Sequence, residues 1–583
     1  MTLIKTFRTT LYILLGCIGT LAAQEEPQRS ALIESLSHSD LVDLSPPESS
    51  TSVSLFPLDI TTEVPECYVA TQQGVGHLLS MWNFQAYRFF LVALEHDENS
   101  LLATAGITLS LLTSDSHMHP QRTAAIKHLQ HLLSLDGGSH FERQFGLALM
   151  DLLQGNKAGW TEKLEELRGE SDKANFLPVL LNAYFSRDGY SILGDAKFNQ
   201  QRAIEDLEAL CIASPNEPSV LTFYILSQID DPRVQENFFN KVLPTARRLV
   251  RLYPDFPFYG HLAGYCELRC GDAFLAEQYY ALAEQQYEHL LRKESIPLRN
   301  LEEYLECKLG LITCLVQQGN YDAAHNRTQS ILSSLRPTRA DRSQALALYL
   351  WELKSFPIRI ACAKGDFEGM EQEARQIADL VDPQAPDTIE LDQQFLNCLR
   401  HYVHVRSAIR AGDEQAALNA LDIFLKTNDM LYQSSEQALK NKELASFRRG
   451  CDLLIILEDE LKTRLETVSP IGDKVSVTSR ISRAIDNQKL SKGISPPMWF
   501  TPMEMVKADY MYSIEEYQEA LTSYSQAYAR MPNHRSTLAG LEKTLSALGR
   551  TSEASDVRNI VDRLDAKQEA KGRPRVTLPS PLR

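Results

Sequence analysis

Histidines are the residues whose type and spacing come closest to a chemical site in this sequence. Half of the fourteen histidines fall within residues 77–140, and histidine both binds metals and exchanges protons near neutral pH. His117 and His119 lie two positions apart, and His128 and His131 share one face of a predicted helix. A metal site needs three or four converging ligands, and no HExxH or paired CxxC motif accompanies these residues. We predict surface and capping histidines without a metal; the alternative is a metal-binding protein or enzyme that uses this His-rich N-terminal third.

A second grouping joins His261 to Cys266 and Cys270 on one predicted helix. At about 100° per residue, His261 points roughly 140° away from Cys266, so one face cannot present all three side chains. The two cysteines lie one turn apart, which exceeds the Cβ separation of a disulfide. Cys307 and Cys314 are two turns apart and equally unsuited to pairing. We therefore predict that most of the ten cysteines are small buried side chains, while the sequence leaves long-range disulfide pairing open.

Motifs of the large enzyme classes are missing from the sequence. It contains no Gly-x-Ser-x-Gly elbow, no phosphate-binding Gly-x-x-x-x-Gly-Lys loop and no dinucleotide fingerprint after a strand. Acidic pairs such as Glu165-Glu166 and Glu302-Glu303 are typical of solvated helix faces. We predict a noncatalytic protein without a cofactor.

The acidic net charge of the chain disfavours some classes of ligand. The formal net charge is −17, from 59 basic and 76 acidic residues. Nonspecific binding to nucleic acid or to anionic membranes requires clustered basic surface, so neither is expected. A protein ligand of such a chain is expected to carry basic residues and to bind less tightly as salt rises.

The elements that position these residues are helical hairpins. Four predicted helices in the middle of the chain stop at a glycine that is followed by Asp or Asn, at steps of 48, 46 and 47 residues: Gly271, Gly319, Gly365 and Gly412. Glycine takes the left-handed conformation that ends a helix, and the next side chain can cap the following helix. A helical hairpin that recurs at a fixed period predicts a solenoid.

Two segments resemble tetratricopeptide (TPR) repeats. Small and aromatic residues stand at the repeat's packing positions near both ends of the array, at Gly74, Ala86, Phe90 and Ala93, and again at Ala508, Ala520, Tyr524, Ala527 and Pro532. Ala554 follows Ala520 by 34 residues, the TPR period. The chain thus resembles exported bacterial TPR-like proteins, and the resemblance implies an all-α, TPR-like α-solenoid of antiparallel helical hairpins that binds proteins.

The N-terminus has the order of a secretory signal. Lys5 and Arg8 precede an apolar run from Leu11 to Leu21, and small residues follow before Gln24. We predict cleavage after Ala23 and an exported, periplasmic protein. Lipid attachment at Cys17 and an uncleaved anchor remain alternatives. No later apolar run reaches the ~18 residues of a membrane span, so we predict no integral membrane segment after signal removal.

These patterns divide the chain into seven predicted parts. They are a signal peptide (1–23), a disordered leader (24–66), degenerate TPR-like hairpins (67–260), a regular hairpin array ending in a long helix from about 434 to 465 (261–467), a linker (468–500), C-terminal TPR hairpins (501–566) and a disordered basic tail (567–583).

The function predicted from these parts is a scaffold of the cell envelope. We expect a protein or peptide partner to lie on the concave face formed by inner helices between His261 and Leu425, and the leader to be dispensable for binding. A structural subunit of an envelope assembly is the third possibility. The identity of the partner and the oligomeric state are left open by the sequence.

Overall fold

Helices account for nearly all of the regular structure. The computed structural model describes residues 30–41, 44–55, 57–112, 118–170, 176–191, 193–231, 238–297, 300, 302–334, 348–380, 391–440, 447–470, 472–489, 497–532 and 534–570. Within these ranges the sole extended pairing is an isolated bridge between Tyr190 and Ala196. None of the helices in these ranges combines the length and the apolar character needed to cross a lipid bilayer. The all-α prediction is confirmed.

The first half of the helices is α1 (Ala31–Leu36), α2 (Pro65–Leu79), α3 (Asn83–His96), α4 (Leu101–Ser110), α5 (His119–Ser134), α6 (His140–Leu153), α7 (Lys157–Glu170), α8 (Leu177–Ser186), α9 (Phe198–Ala213), α10 (Pro218–Gln228), α11 (Leu243–Leu252), α12 (Pro257–Arg269) and α13 (Ala273–Glu294). The second half is α14 (Glu302–Gln317), α15 (Tyr321–Ser334), α16 (Lys354–Lys364), α17 (Phe367–Leu380), α18 (Leu391–Ala411), α19 (Glu414–Lys440), α20 (Arg448–Leu465), α21 (Lys474–Lys489), α22 (Met503–Ser513), α23 (Tyr517–Arg530), α24 (Arg535–Ala547) and α25 (Thr551–Ala570). From α2 onward, successive helices pair as antiparallel hairpins in a TPR-like arrangement.

The four regular hairpin turns share one geometry. Gly271, Gly319, Gly365 and Gly412 have φ values of 86°, 74°, 72° and 70°. The Asp or Asn after each glycine donates its N–H to a carbonyl five residues earlier, at 3.0, 2.8, 2.9 and 3.2 Å in chain order. Its side chain accepts from the N–H three residues later, at 3.0, 3.4, 2.9 and 2.9 Å. One short sequence thus ends a helix and caps the next.

Neighbouring hairpins interlock through an aromatic ring on the second helix. A Cβ at Gly74 would lie 2.7 Å from the Phe90 ring, and one at Gly106 on the next hairpin would also overlap that ring. Tyr280 fits between Gly264 and Gly310 in the same way. The glycine on each side of the aromatic ring lets two helix backbones approach that ring closely. The same ring therefore packs against its own hairpin and against the next one.

The hairpins from α2 to α13 close into a ring, here named the N-terminal ring. Helix α2 packs against α10, and the Ser80 hydroxyl lies 3.0 Å from the Tyr259 hydroxyl at the start of α12. Trp82 packs edge-on against Phe256 with ring centroids 5.9 Å apart. The sixth hairpin (α12–α13) therefore returns to the first.

A second closure joins the same hairpin to the end of the chain, forming the C-terminal ring (α12 to α25). Phe274 at the start of α13 packs into one apolar cluster with Leu538, Val561 and Leu564 from α24 and α25. The Ser536 hydroxyl donates to the Ala363 carbonyl at 3.4 Å. The two rings share α12 and α13.

This closure removes much of the predicted concave face. Every residue from Pro257 to Leu268 in α12 is buried, as are residues 309–318 in and after α14. In α16, residues 355–361 are buried as well. The inner helices at the start of the region between His261 and Leu425 pack against the molecule itself, so they offer no open surface to a partner.

The predicted segment boundaries also differ from the structure. The leader (24–66) contains α1 and buried side chains at Ile33, Leu36 and Val53. The linker (468–500) contains α21, which buries Val477 and Ile481. These two helices were missed because polar residues surround their few apolar positions.

The predicted long helix and the two termini differ in other ways. Helix α19 runs without interruption to Lys440, and α20 begins at Arg448. Helix α25 continues to Ala570, so the predicted tail begins inside a helix. The predicted signal peptide, Cys17 and residues 571–583 lie outside the described residues.

Candidate functional site: an inner groove that holds an extended segment

The N-terminal ring encloses a segment that belongs to no hairpin. Residues 44–55, here called the strap, have no helix or strand and cross the ring between the first hairpin and helices α10, α12 and α13. Pro46 and Pro47 lack a backbone N–H and fix φ, so this Ser- and Pro-rich sequence favours an extended chain. The helices facing it form the groove.

Groove side chains hold the strap mainly by its backbone. Gln73 binds Ser50 at two points, accepting from its N–H at 3.0 Å and donating to its carbonyl at 3.2 Å. The Tyr259 hydroxyl donates to the Ser52 carbonyl at 3.1 Å. Gln73 and Tyr259 are buried, where an unmade hydrogen bond is costly. Backbone recognition of this kind accepts an extended chain with little regard to its sequence.

A buried arginine anchors the first part of the strap. Arg88 on α3 donates through Nη2 to the Ser45 carbonyl at 2.6 Å. Its Nη1 bonds to Gln85 at 2.7 Å and forms an ion pair with Glu294 at the end of α13. The paired carboxylate balances the buried charge and fixes the guanidinium, which leaves the second nitrogen directed at the strap.

Three strap side chains add selective contacts. Glu48 forms an ion pair with Lys293 at 2.5 Å. Val53 is buried. The Ser54 hydroxyl donates to Glu217 and accepts from the Ser219 N–H at 3.1 Å. The groove thus contacts three side chains of the strap: the acidic Glu48, the aliphatic Val53 five positions later and the hydroxyl of Ser54 six positions later.

Gly76 allows the strap to lie against α2. A Cβ on Gly76 would lie 2.7 Å from the Ser54 carbonyl oxygen and 2.7 Å from a Val53 methyl group. Real Cβ atoms essentially never come this close, and here one neighbour is backbone. The glycine is therefore part of the groove's shape and not part of a turn.

Aromatic side chains surround His77 beside the closure. The His77 ring stacks on Phe89 with centroids 5.1 Å apart and meets the Trp82 ring edge-on at 5.7 Å. Burial, assisted by the nearby charge of Arg88, lowers the pKa of His77 from 6.5 to about 3. His261 on α12 is also buried, and this burial lowers its pKa to about 3. Both rings are therefore neutral packing groups at neutral pH.

The other predicted chemical groups are dispersed. His128 bonds to the Glu98 carbonyl at 2.7 Å, and His119 lies 2.9 Å from Arg122, while His117 is outside the described residues. Within the described ranges, no three His, Cys, Asp or Glu side chains converge as metal ligands. Cys266 and Cys270 are free thiols.

The predicted repeat residues lie in the packing and not in the groove. Ala86, Ala93, Ala508, Ala520 and Ala527 are fully buried between helices, Ala554 is nearly so, and Pro532 is half-buried after α23. Sequence reasoning missed Gln73, Gly76, Arg88 and Tyr259. The one local signal was Gly76, a second glycine in a helix whose packing position Gly74 already fills.

Comparisons with known proteins supply no family. No family model matches the chain, and no curated protein matches it. Similar solved structures include the human IFIT1 dimer with PPP-AAAA (14% identity, 83% of this chain and 94% of that chain, TM-score 0.35). Others are the P58(IPK) TPR domain (12%, 83% and 99%, TM-score 0.20) and yeast Tom70 (12%, 86% and 91%, TM-score 0.25). These values are too low to carry an argument, so the TPR-like assignment rests on the hairpins themselves.

Proposed function

We propose that this protein is an exported, noncatalytic scaffold that binds an extended segment of another polypeptide in the groove of its N-terminal ring. The observation that carries the proposal is the strap itself. Gln73, Arg88 and Tyr259 hold it by main-chain groups that every polypeptide possesses. Binding an extended peptide through its backbone is an established mode of protein recognition.

The groove revises the expected ligand charge. The net charge of −17 favoured a basic ligand, yet the occupant of the groove carries Glu48 against Lys293. Local charge outweighs net charge at this distance, so the proposed ligand has an acidic residue near its N-terminal end.

Photo-crosslinking tests the proposed binding. A benzoylphenylalanine at Tyr68, whose hydroxyl lies 3.4 Å from the Leu58 N–H just beyond the strap, should crosslink a second polypeptide in the native envelope. The matched control replaces Tyr432, which is 52% exposed on α19, and should give no such product. Crosslinking should persist with a chelator and weaken at high salt.

Three outcomes contradict the proposal. A second polypeptide that crosslinks only at Tyr432 would place binding elsewhere. Loss of the product with the chelator would favour a metal-binding protein. Crosslinks solely between copies of this chain would favour a structural subunit of an assembly.

Export is the second part of the proposal, supported by the order of charged, apolar and small residues before Gln24. Intact-mass measurement of protein isolated from the cell envelope should give a chain that begins at Gln24. A lipid-modified chain beginning at Cys17, or an intact Met1, would contradict it.

A further inference from the structure

The strap is fastened on both sides of the groove. On its N-terminal side, α1 buries Ile33 and Leu36, and the Tyr87 hydroxyl donates to the Leu36 carbonyl. On its C-terminal side, the Thr61 hydroxyl donates to Glu142 at 2.6 Å and the Thr62 hydroxyl donates to Asp97 at 2.7 Å. These anchors use residues other than Gln73, Arg88 and Tyr259, which bind the strap. The strap can therefore leave the groove as a loop while its two ends stay bound.

The contacts that hold the strap can be exchanged one for one. Its backbone bonds to Gln73, Arg88 and Tyr259 use groups that any extended chain supplies. Its Glu48 pair lies at the rim, with 46% of the Lys293 side chain and 60% of the Glu48 side chain exposed. Only Val53 and Ser54 fill enclosed positions. A second peptide with matching residues at these positions would satisfy every group that the strap vacates.

We propose that the strap is an internal ligand that competes with the partner for the groove, a proposal that rests on the proposed function. The partner segment is extended, with an acidic residue followed at the fifth and sixth positions by an aliphatic residue and Ser or Thr. This is the spacing of Glu48, Val53 and Ser54. A tethered competitor acts at an effective concentration on the order of millimolar. A partner therefore occupies the groove only when it binds tightly enough to displace the strap at this effective concentration.

Competition can be measured with a fluorescein-labelled peptide of residues 44–55, LSPPESSTSVSL. Fluorescence anisotropy would compare the mature wild-type chain with Val53→Asp, which places a charge at a site that is 4% exposed and should release the strap. Val53→Asp should bind the peptide at least tenfold more tightly than wild type. The matched control is Leu55→Asp, because Leu55 is 42% exposed in the same segment; it should bind as wild type does.

Changes in the groove and in the peptide test the pattern. Adding Gly76→Val to Val53→Asp should abolish binding, because the new side chain occupies the place of the peptide backbone. Peptides with Val53 replaced by Asp or with a scrambled order should each bind at least tenfold more weakly, and a peptide with Glu48 replaced by Lys should bind a few-fold more weakly because its ion pair is exposed. Equal affinity for wild type and Val53→Asp would overturn self-competition, and equal affinity for the scrambled peptide would overturn the pattern.

Hydrogen exchange on the wild-type chain provides a test that does not depend on the variant folding. Saturating peptide should speed exchange of the Ser50 N–H, which Gln73 protects, and leave α1 unchanged. Unchanged exchange in residues 44–55 at saturation would refute displacement. The crosslink from Tyr68 to a native partner is independent of this peptide, so the proposed function could survive while the internal-ligand proposal fails.

Discussion

The two rings share α12 and α13 but differ in what accompanies their closure. The N-terminal ring closes through direct contacts such as Ser80 with Tyr259 and also holds the strap, which binds Gln73 through Ser50 and Lys293 through Glu48. The C-terminal ring closes directly, helix on helix, with Phe274 against Leu538. Repeated hairpins therefore form both rings, while the strap, a segment outside the hairpins, is held only in the N-terminal one among the described residues.

Each ring buries charged side chains, Arg88 with Glu294 in the N-terminal ring, but the ion pair that holds the strap lies at the rim. In the C-terminal ring, the fully buried Glu460 accepts from Arg464 at 2.7 Å, Arg406 at 3.0 Å and Tyr402 at 3.1 Å. Arg464 then reaches Asp509 on α22 at 3.6 Å. This network ties α18, α20 and α22 together. An enclosed network requires every partner to be present, whereas exchangeable contacts at an accessible groove permit an occupant to leave.

The largest expected effect follows from this contrast. Glu460→Ala leaves two arginines without their buried carboxylate and should lower the unfolding free energy by about 3–5 kcal/mol. Glu48→Ala in the N-terminal ring removes only a rim-exposed pair and should leave stability unchanged within error. Urea unfolding of the full chain measures both variants. Equal effects would show that the strap's rim pair stabilises the fold as much as the enclosed network does.

Acid should act on the closure of the N-terminal ring. Burial lowers the pKa of His77 to about 3, so the unfolded chain binds a proton below pH 6.5 that the folded chain does not. Stability is therefore lost as pH falls from 6.5 towards 3, by about 1.4 kcal/mol per pH unit.

His77→Phe keeps an aromatic ring on Phe89 and removes this titration. Between pH 7 and pH 5, wild type should lose about 2 kcal/mol more than this variant. Urea unfolding at both pH values checks the difference, to which the carboxylates common to both proteins contribute equally. The prediction fails if the two proteins lose the same free energy.

Helix packing should be equivalent in the two rings. Ala86 in the N-terminal ring and Ala520 in the C-terminal ring are both fully buried. Replacing either by Leu should overpack its hairpin and cost roughly 1–3 kcal/mol. Ala529→Leu, at an exposed position on α23, is the control and should be neutral. Thermal melts should use the full chain, since α24 and α25 pack on Phe274; a loss at one site alone would make the rings unequal.

Local features of the fold could be predicted from the sequence. Gly365 and Asp366 determine their turn within nine residues, from Ala361 to Gly369, so a short window contains the whole signal. The aromatic positions Phe90 and Tyr524 were likewise recognisable from a fixed repeat. Predicting the all-α solenoid required no more than these patterns.

The closures and the groove could not be predicted in this way. Ser80 meets Tyr259 across 179 residues, and Ser54 meets Glu217 across 163. The strap has no apolar periodicity, so its sequence looks disordered until the helices that hold it are in place. Its order comes from side chains such as Gln73 and Arg88, whose polar character is unremarkable in a helix.

The smallest expected effect concerns the turns that lack glycine. Glu515 in the C-terminal ring has φ of 63°, and Met81 in the N-terminal ring has φ of 62°. Holding a residue other than glycine in this left-handed region destabilises the fold by about 1–2 kcal/mol. Replacing it by glycine removes this strain, but glycine loses more conformational entropy on folding, which offsets part of the stabilisation. Glu515 is exposed, so Glu515→Gly should raise stability by about 0.5–1 kcal/mol.

Met81→Gly should gain nothing, because the Met81 side chain packs against the apolar clusters of the N-terminal ring and its loss offsets the relief of backbone strain. Glu515→Ala serves as the control for the carboxylate: it keeps the Cβ and should leave stability unchanged. Urea unfolding of the three variants separates the relief of backbone strain from the loss of side-chain packing. If Met81→Gly stabilised the chain as much as Glu515→Gly, the side chain at the N-terminal closure would contribute nothing, and the two rings would not differ at their turns.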